Sequence, residues 1–313
     1  MEFRSMRFFL AMVFVAISVS WSAPGVAASP KVVASIRPVH ALVVGVMEGV
    51  GTPTLLLKEA ASPHDYALRP SDAAALADAD IVFWIGASLE SFLEKPLKTS
   101  KTRQVALIEA VSLRYPAREG GAWKSDNHAH EHSHNHNHDK ESTDPHVWLD
   151  PGNAGNMVDR IVRELSALDV ENSKRYEANA VILRQRLASL NHEIEEMLTP
   201  VKRTPFIVFH DGYQYFEKRY GLSGVGAITV NPGQKPSAQR LRALRDRVRK
   251  SSVACVFAEP QYSDGLVKSI LEGTAARYSV LDPLGSNITP GVDAYFLTMR
   301  LLAENVRRCL DAK

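Results

Sequence analysis

Residues 171–198 carry Tyr176, Ala180, Leu183, Leu187, Leu190, Ile194 and Leu198 at steps of three and four. That spacing lines one face of an α-helix. A helix over this span would extend about 42 Å, longer than an ordinary globular helix and long enough to reach across two domains. Whatever the chain folds into must be arranged around this rod.

On either side of it the pattern changes to alternating strands and helices. Before it, Lys31–Ile36 reads as a buried strand. Pro38 sits at a helix start, with Leu42, Val43, Val46 and Met47 following at helical spacing. Thr54–Leu57 is a second strand, Ser71 and Asp72 cap a short helix through Leu76, and Ile81–Ile85 and Val105–Ile108 are further strands. Asn153–Leu168 reads as a helix. After Pro200 the alternation restarts, with strands at Phe206–Phe209, Val225–Ile228, Val253–Ala258 and Tyr278–Leu281. Helices are expected at Tyr213–Tyr220, Ser237–Lys250, Asp264–Gly273 and Asp293–Leu310. Strands alternating with helices imply parallel sheets covered by helices. The predicted fold class is α/β, with two lobes, each a mostly parallel sheet flanked by helices, joined by the long helix.

The first residues read as an export signal. Arg4 and Arg7 supply the positive charge, Phe8–Val19 is apolar apart from Ser18, and Val26-Ala27-Ala28 offers small residues for cleavage. The apolar stretch is shorter than the roughly 20 residues of a comfortable membrane span. Residues 1–28 are therefore expected to be a signal peptide cut after Ala28, with no cysteine there to carry a lipid. The remainder divides into an N-terminal lobe (29–168), a linking helix (169–199) and a C-terminal lobe (200–313). Two cysteines in an exported chain, Cys255 and Cys309, suggest a disulfide, with two buried free thiols as the alternative. A formal net charge of +2 argues against nucleic acid or an anionic membrane surface as the main partner. The six Lys or Arg residues from Arg240 to Lys250 are most simply one solvated helix face.

Between about Ser112 and Thr143 the chain turns polar and irregular. Within it, His128, His130, His132, His134, His136 and His138 occupy every second position. The run 126–141 has too little apolar surface to offset the entropy of ordering it, and its composition reads as metal binding. Three other histidines are spread along the sequence. His64 lies just beyond the second strand, His146 just beyond the polar run, and His210 immediately beyond Phe206–Phe209. Ligands in parallel α/β sheets bind at the carboxyl ends of strands, where the strand map places two of the three, and a metal could gather all three from distant parts of the sequence. Imidazole nitrogens suit zinc, whereas magnesium and calcium require oxygen. Asp65 and Asp211 each follow a histidine, and Asp282 ends a strand and could reach the same crevice. His40, in the first turn of a helix, and His192, on the long helix, read as ordinary structural or surface residues.

Three segments carry a resemblance. Ser-Pro-His-Asp-Tyr-Ala-Leu-Arg-Pro-Ser-Asp (62–72), Asp-Pro-His-Val-Trp-Leu-Asp-Pro (144–151) and Phe-His-Asp-Gly-Tyr-Gln-Tyr-Phe (209–216) resemble the metal-binding receptors of bacterial ABC importers. The histidine run before the second segment is similar to that of the zinc-specific, ZnuA-type members. The resemblance spans essentially the whole chain after residue 28. It implies two α/β lobes joined by a rigid helix, with the metal held in the cleft between them. It implies His64, His146 and His210 as zinc ligands, Asp282 at the position of a fourth ligand, and a disulfide in the second lobe. Several zinc members carry a glutamate directly before the first histidine. This chain has Pro63 there, which leaves water, Asp282 or a histidine of the run 126–141 for the fourth position.

The expected function is zinc capture in the periplasm and delivery to an inner-membrane ABC permease. Zn2+ would be the transported ligand, the protein monomeric and not an enzyme, and nucleic acid no partner. A manganese or iron receptor of the same family is the nearest alternative. A zinc-dependent hydrolase is the alternative from another class, because three histidines and a water also make a catalytic site.

Overall fold

A computed structural model of the chain describes residues 29–58, 60–112, 114–118, 143–229 and 236–311. The expected signal peptide and the histidine-rich run lie outside the described residues. In chain order the first half contains β1 (Val32–Ala34), α1 (Arg37–Val46), β2 (Thr54–Leu55), α2 (Pro70–Asp78), β3 (Ile81–Trp84), α3 (Ser91–Thr99) and β4 (Arg103–Ala106). Two long helices follow, α4 (Pro151–Leu168) and α5 (Ser173–Leu198). The second half contains β5 (Phe206–His210), α6 (Gln214–Tyr220), β6 (Gly224–Thr229), α7 (Ala238–Lys250), β7 (Cys255–Ala258), α8 (Gly265–Leu271), β8 (Arg277–Val280) and α9 (Ala294–Leu310).

The strands form two four-stranded sheets, ordered β2-β1-β3-β4 and β6-β5-β7-β8. Every pairing is parallel. Both sheets therefore have the same winding, with the first strand of each half inside and the second at an edge. The central strands are buried on both faces: all of Ile81–Trp84 and all of Phe206–His210 are shielded from solvent. That is why they read as unbroken apolar runs rather than alternating ones.

α5 is the predicted rod. It begins two residues later than expected, because Val170–Asn172 forms a 3-10 turn, and it ends at Leu198 before Pro200. Its apolar stripe is buried from Tyr176 to Leu198. Asn179 Nδ2 reaches back to the carbonyls of Val46 and Glu48 (2.9 Å each). Near its other end, Glu193 takes a two-pronged hydrogen bond from Arg300 of α9 (2.8 and 2.9 Å). One continuous apolar core runs from β1 and β3 through α4 and α5 to Phe257 and α9, and a smaller one lies beneath α7 and α8.

Several local expectations shift. α2 starts at Pro70, so Asp72 is its third residue rather than its cap. Its carboxylate Oδ2 accepts from Arg69 N (3.0 Å) and from the Tyr66 hydroxyl (2.7 Å). The last segment of the first sheet is displaced toward the N-terminus: β4 is Arg103–Ala106, and Leu107–Ala110 turns into a 3-10 helix. Arg103 and Gln104 can be polar there because β4 is an edge strand. α3 was not announced by the sequence pattern, since Pro96 interrupts its interior. Cys255 and Cys309 form a disulfide with a Cα–Cα distance of 6.0 Å, tying β7 to α9 within the second half.

Candidate metal centre

The three dispersed histidines converge. His64 follows β2, in a loop whose far end is pinned by the Asp72 contacts above. His146 precedes the 3-10 turn Val147–Leu149, and Asp150 caps α4 by accepting from Gly152 N (2.7 Å). His210 is the last residue of β5. His146 Nε2 lies 3.3 Å from His64 Nε2 and 3.1 Å from His210 Nε2. The three ligand atoms all lie within 4.8 Å of one another, and they form the only such group of three or more metal-capable side chains among the described residues. Zn–N bonds of about 2.0–2.1 Å in a tetrahedral site place neighbouring nitrogens about 3.3 Å apart, which the two distances at His146 already approximate.

Two of the rings are held from behind. His146 Nδ1 lies 2.7 Å from Asp144 Oδ1, and the His146 backbone N–H donates to the same oxygen (3.0 Å). His210 Nδ1 lies 2.6 and 2.8 Å from the two oxygens of Glu259, which follows β7. A carboxylate only accepts, so both Nδ1 atoms carry the proton and both Nε2 lone pairs face the centre. His146, His210, Asp144 and Glu259 are all buried. Asp144 also accepts from Gln214 Nε2 (3.3 Å). The loop of His64 is tied to the second half where the Tyr262 hydroxyl donates to Ser62 Oγ (2.7 Å), and His64 N donates to that same oxygen (3.2 Å).

Burial, followed by the neighbouring imidazoles of His146 and His210, pushes the His64 pKa down to about 2. That ring is therefore neutral and ready to ligate. Burial also disfavours the imidazolium of His210, but the charge and hydrogen bond of Glu259, aided by Asp211 and Asp144, outweigh it and raise the pKa. Burial pushes the Asp144 pKa up, and its hydrogen bonds and charge interaction with His146 more than reverse this, leaving it below the usual carboxylate range. Two buried carboxylates thus stand behind the nitrogen donors, an arrangement suited to a cation rather than a neutral ligand.

Gly212 closes the site from above. A Cβ at this position would overlap His210 Nε2 and stand 3.1 Å from His146 Nε2, so only glycine lets the backbone pass so near the triad. The remaining wall is Ser62, Pro63, Trp148, Gln261, Tyr262, Pro283 and Leu284. Trp148 Nε1 donates to the Pro283 carbonyl (2.9 Å), joining the two halves beside the triad.

Asp282 is not brought in. It stands outside the metal-capable group, and its carboxylate accepts from Gln261 Nε2 (2.8 Å), Leu284 N (3.1 Å) and Ser286 N (2.6 Å). Pro63 lines the pocket with no donor to offer. Asp65 and Asp211 are not members of the group either. Instead, Asp211 Oδ1 accepts from Arg118 (3.3 Å), whose guanidinium also binds Glu217 (2.8 Å). His40 is buried with Nε2 3.1 Å from the Pro53 carbonyl, and exposed His192 pairs with Glu196 (3.3 Å), so both are structural, as expected. Sequence reasoning missed Asp144, Glu259 and Gly212. The first and last sit inside the quoted motifs, and Glu259 ends a predicted strand in the same way as His210.

Comparison with known proteins gives the family. Residues 32–309 match the family model of the zinc-uptake complex component A, periplasmic (ZnuA). The chain is similar to the high-affinity zinc uptake system protein ZnuA of Brucella suis, at 41% identity over 305 residues, covering 90% of this chain and 91% of the relative. Among solved structures, a crystal structure of ZnuA aligns with a TM-score of 0.75 at 25% identity, covering 90% of this chain and 99% of that one. A zinc-bound ZnuA deletion mutant aligns with a TM-score of 0.74 at 25% identity, covering 91% and 99%. With two like-wound parallel sheets, a helical rod across both and three histidines meeting between them, the chain belongs to the ZnuA family of periplasmic zinc-uptake components.

Proposed function

We propose that this protein captures a zinc ion on His64, His146 and His210 and hands it to an ABC permease in the inner membrane. It is the zinc-binding receptor of an importer, with Zn2+ as its cargo. The observation that carries the ligand assignment is the convergence of three Nε2 atoms from distant parts of the sequence, two of them oriented by buried carboxylates. An all-nitrogen set favours zinc over manganese, which takes oxygen more readily. The reading includes export with cleavage after Ala28, a lobe division at 29–168, 169–199 and 200–313, and a monomer in the periplasm. The histidines of 126–141 would bind further zinc weakly, since ordering so polar a sequence costs entropy.

The protein acts as a carrier and not as an enzyme. One string, His130 to His134, has the His-Glu-x-x-His pattern of metalloproteases, but it lies in the polar run rather than on a helix-forming sequence with an apolar face. Metal analysis of the purified protein, followed by competition titration with zinc and manganese, tests the function. One tight zinc site abolished by His64→Ala or His210→Ala supports it. Turnover of ester or peptide substrates by the zinc-loaded protein would favour the hydrolase instead.

A further inference from the structure

Asp282 stands next to the metal pocket without entering it. It follows β8, and the two residues after it, Pro283 and Leu284, line the pocket wall. Its carboxylate is turned into its own turn. Oδ1 accepts from Leu284 N (3.1 Å) and Ser286 Oγ (3.3 Å), and Oδ2 accepts from Ser286 N (2.6 Å). These partners belong to the same short segment and would travel with Asp282 if it moved.

Gln261 is different. It comes from the segment after β7, it lines the metal pocket, and its Nε2 donates both to Asp282 Oδ1 (2.8 Å) and to Ser286 Oγ (2.8 Å). Because a carboxylate offers no hydrogen, the amide must present its nitrogen to Asp282. Both amide hydrogens are then committed to the 282–286 turn. The other end of the amide, Oε1, is buried without a hydrogen-bond partner. An amide that leaves a buried acceptor unpaired in order to hold a carboxylate is in a costly arrangement, and the cost needs a compensating role.

We propose that Gln261 is a specificity-determining positioning residue. Its amide holds Asp282 in the 282–286 turn, so the centre presents three imidazole nitrogens and withholds a carboxylate oxygen. This inference rests on the reading of the triad as the cargo site. The chemical consequence is selectivity: a carboxylate added to the set would favour harder ions such as manganese, whereas its exclusion favours zinc.

The test uses the full mature protein loaded with cobalt(II), whose visible absorption reports coordination number and donor type, together with zinc and manganese competition titrations. Four variants are compared: Gln261→Met, which keeps the volume but removes the donors, Asp282→Asn, the double variant, and His64→Ala. In Gln261→Met the cobalt spectrum should change, and the manganese-to-zinc affinity ratio should rise about tenfold, the low end of what groups supporting metal ligands control. The double variant should return both readouts to wild type. Asp282→Asn alone should leave the cobalt spectrum unchanged, a result that does not depend on how well Gln261→Met folds. An unchanged spectrum and ratio in Gln261→Met would overturn the proposal. A changed spectrum in Asp282→Asn alone would also overturn it, because Asp282 would then already be a ligand. His64→Ala separates the two levels. Its loss of tight zinc binding supports the triad whatever Gln261 does, and retention of tight binding overturns the triad and this inference together.

Discussion

Glu259 grips His210 with both carboxylate oxygens, at 2.6 and 2.8 Å from Nδ1, from the end of a strand 49 residues further along the chain. The contact joins neighbouring strands β5 and β7 at their carboxyl ends, and it decides which ring nitrogen faces the metal. Glu259→Ala should therefore weaken zinc binding by about 10- to 100-fold, the usual effect of removing a ligand's supporting carboxylate. Glu259→Gln, which can still accept from Nδ1–H, should lose less. Competition titration against a chelator measures both, and equal affinity in Glu259→Ala and wild type would refute the orienting role.

Gly212→Ala should cost zinc affinity while leaving the fold largely intact. The new methyl group meets the metal-facing edge of His210 and crowds His146, so the rings must part before a tetrahedral site can form. A drop of at least about tenfold in affinity with a nearly unchanged melting temperature is expected, in line with the sensitivity of metal sites to their supporting shell. Affinity at the wild-type level would mean that the backbone over the triad is free to move aside.

Deleting residues 127–139 should leave one tight zinc site and remove only weaker, additional binding. The described histidines are held by packed elements, so little ordering remains when zinc arrives. Isothermal titration of the deletion variant checks this. Loss of the tight site would move the primary centre to the deleted run.

Opening the Cys255–Cys309 bond should lower stability more than zinc affinity. The link closes a loop spanning 54 residues within the second half, and Cys309 lies at the far end of α9 from the triad. The double Cys→Ser variant is expected to lose about 2–5 kcal/mol of folding stability, as small exported domains do. Denaturant unfolding measures that loss. A larger effect on zinc affinity than on stability would contradict the separation.

Stability should also fall as pH rises from about 5 to about 8, in part through Glu90. Its carboxylate accepts from Ile85 N (2.9 Å) and Gly86 N (3.0 Å), but complete burial pushes its pKa up to about 7, with those hydrogen bonds and Ser35 opposing. The folded state therefore binds a proton more tightly than the unfolded chain. Its contribution is full below the unfolded pKa of about 4.5 and is lost as pH passes 7. The shift corresponds to roughly 3 kcal/mol. Glu217, also raised to about 7 by burial against the pull of Arg118, acts in the same sense. Glu90→Gln should flatten part of the slope in denaturant melts at several pH values, and an identical slope would refute the assignment.

The alternation of strands and helices, the rod of α5 and the three histidines were legible because each is a local pattern. A strand buried on both faces needs several apolar residues in succession, and a helix needs an apolar residue every third or fourth position. His210 could be placed at a strand end because Phe206–Phe209 is such a run. α3 was illegible because Pro96 breaks the pattern that would have marked it. β4 was misplaced because an edge strand tolerates Arg103 and Gln104 where a central one would not.

What the sequence alone determined was the inventory: two parallel sheets, a helix long enough to serve both, and three imidazoles outside the polar run, two of them placed beyond strand ends. Tertiary structure decided how those imidazoles are presented. Glu259 meets His210 because β7 lies beside β5 in the sheet, a non-local pairing that residue spacing does not reveal. Gly212 became indispensable because the backbone after β5 passes directly over two rings. Asp282 reached the edge of the pocket as its strand position suggested, yet it is held in its own turn by Gln261 from the neighbouring strand's end. Local sequence sets which donors are available. The directions in which their lone pairs point depend on hydrogen bonds between residues far apart in the chain, and those exist only once the sheets are assembled.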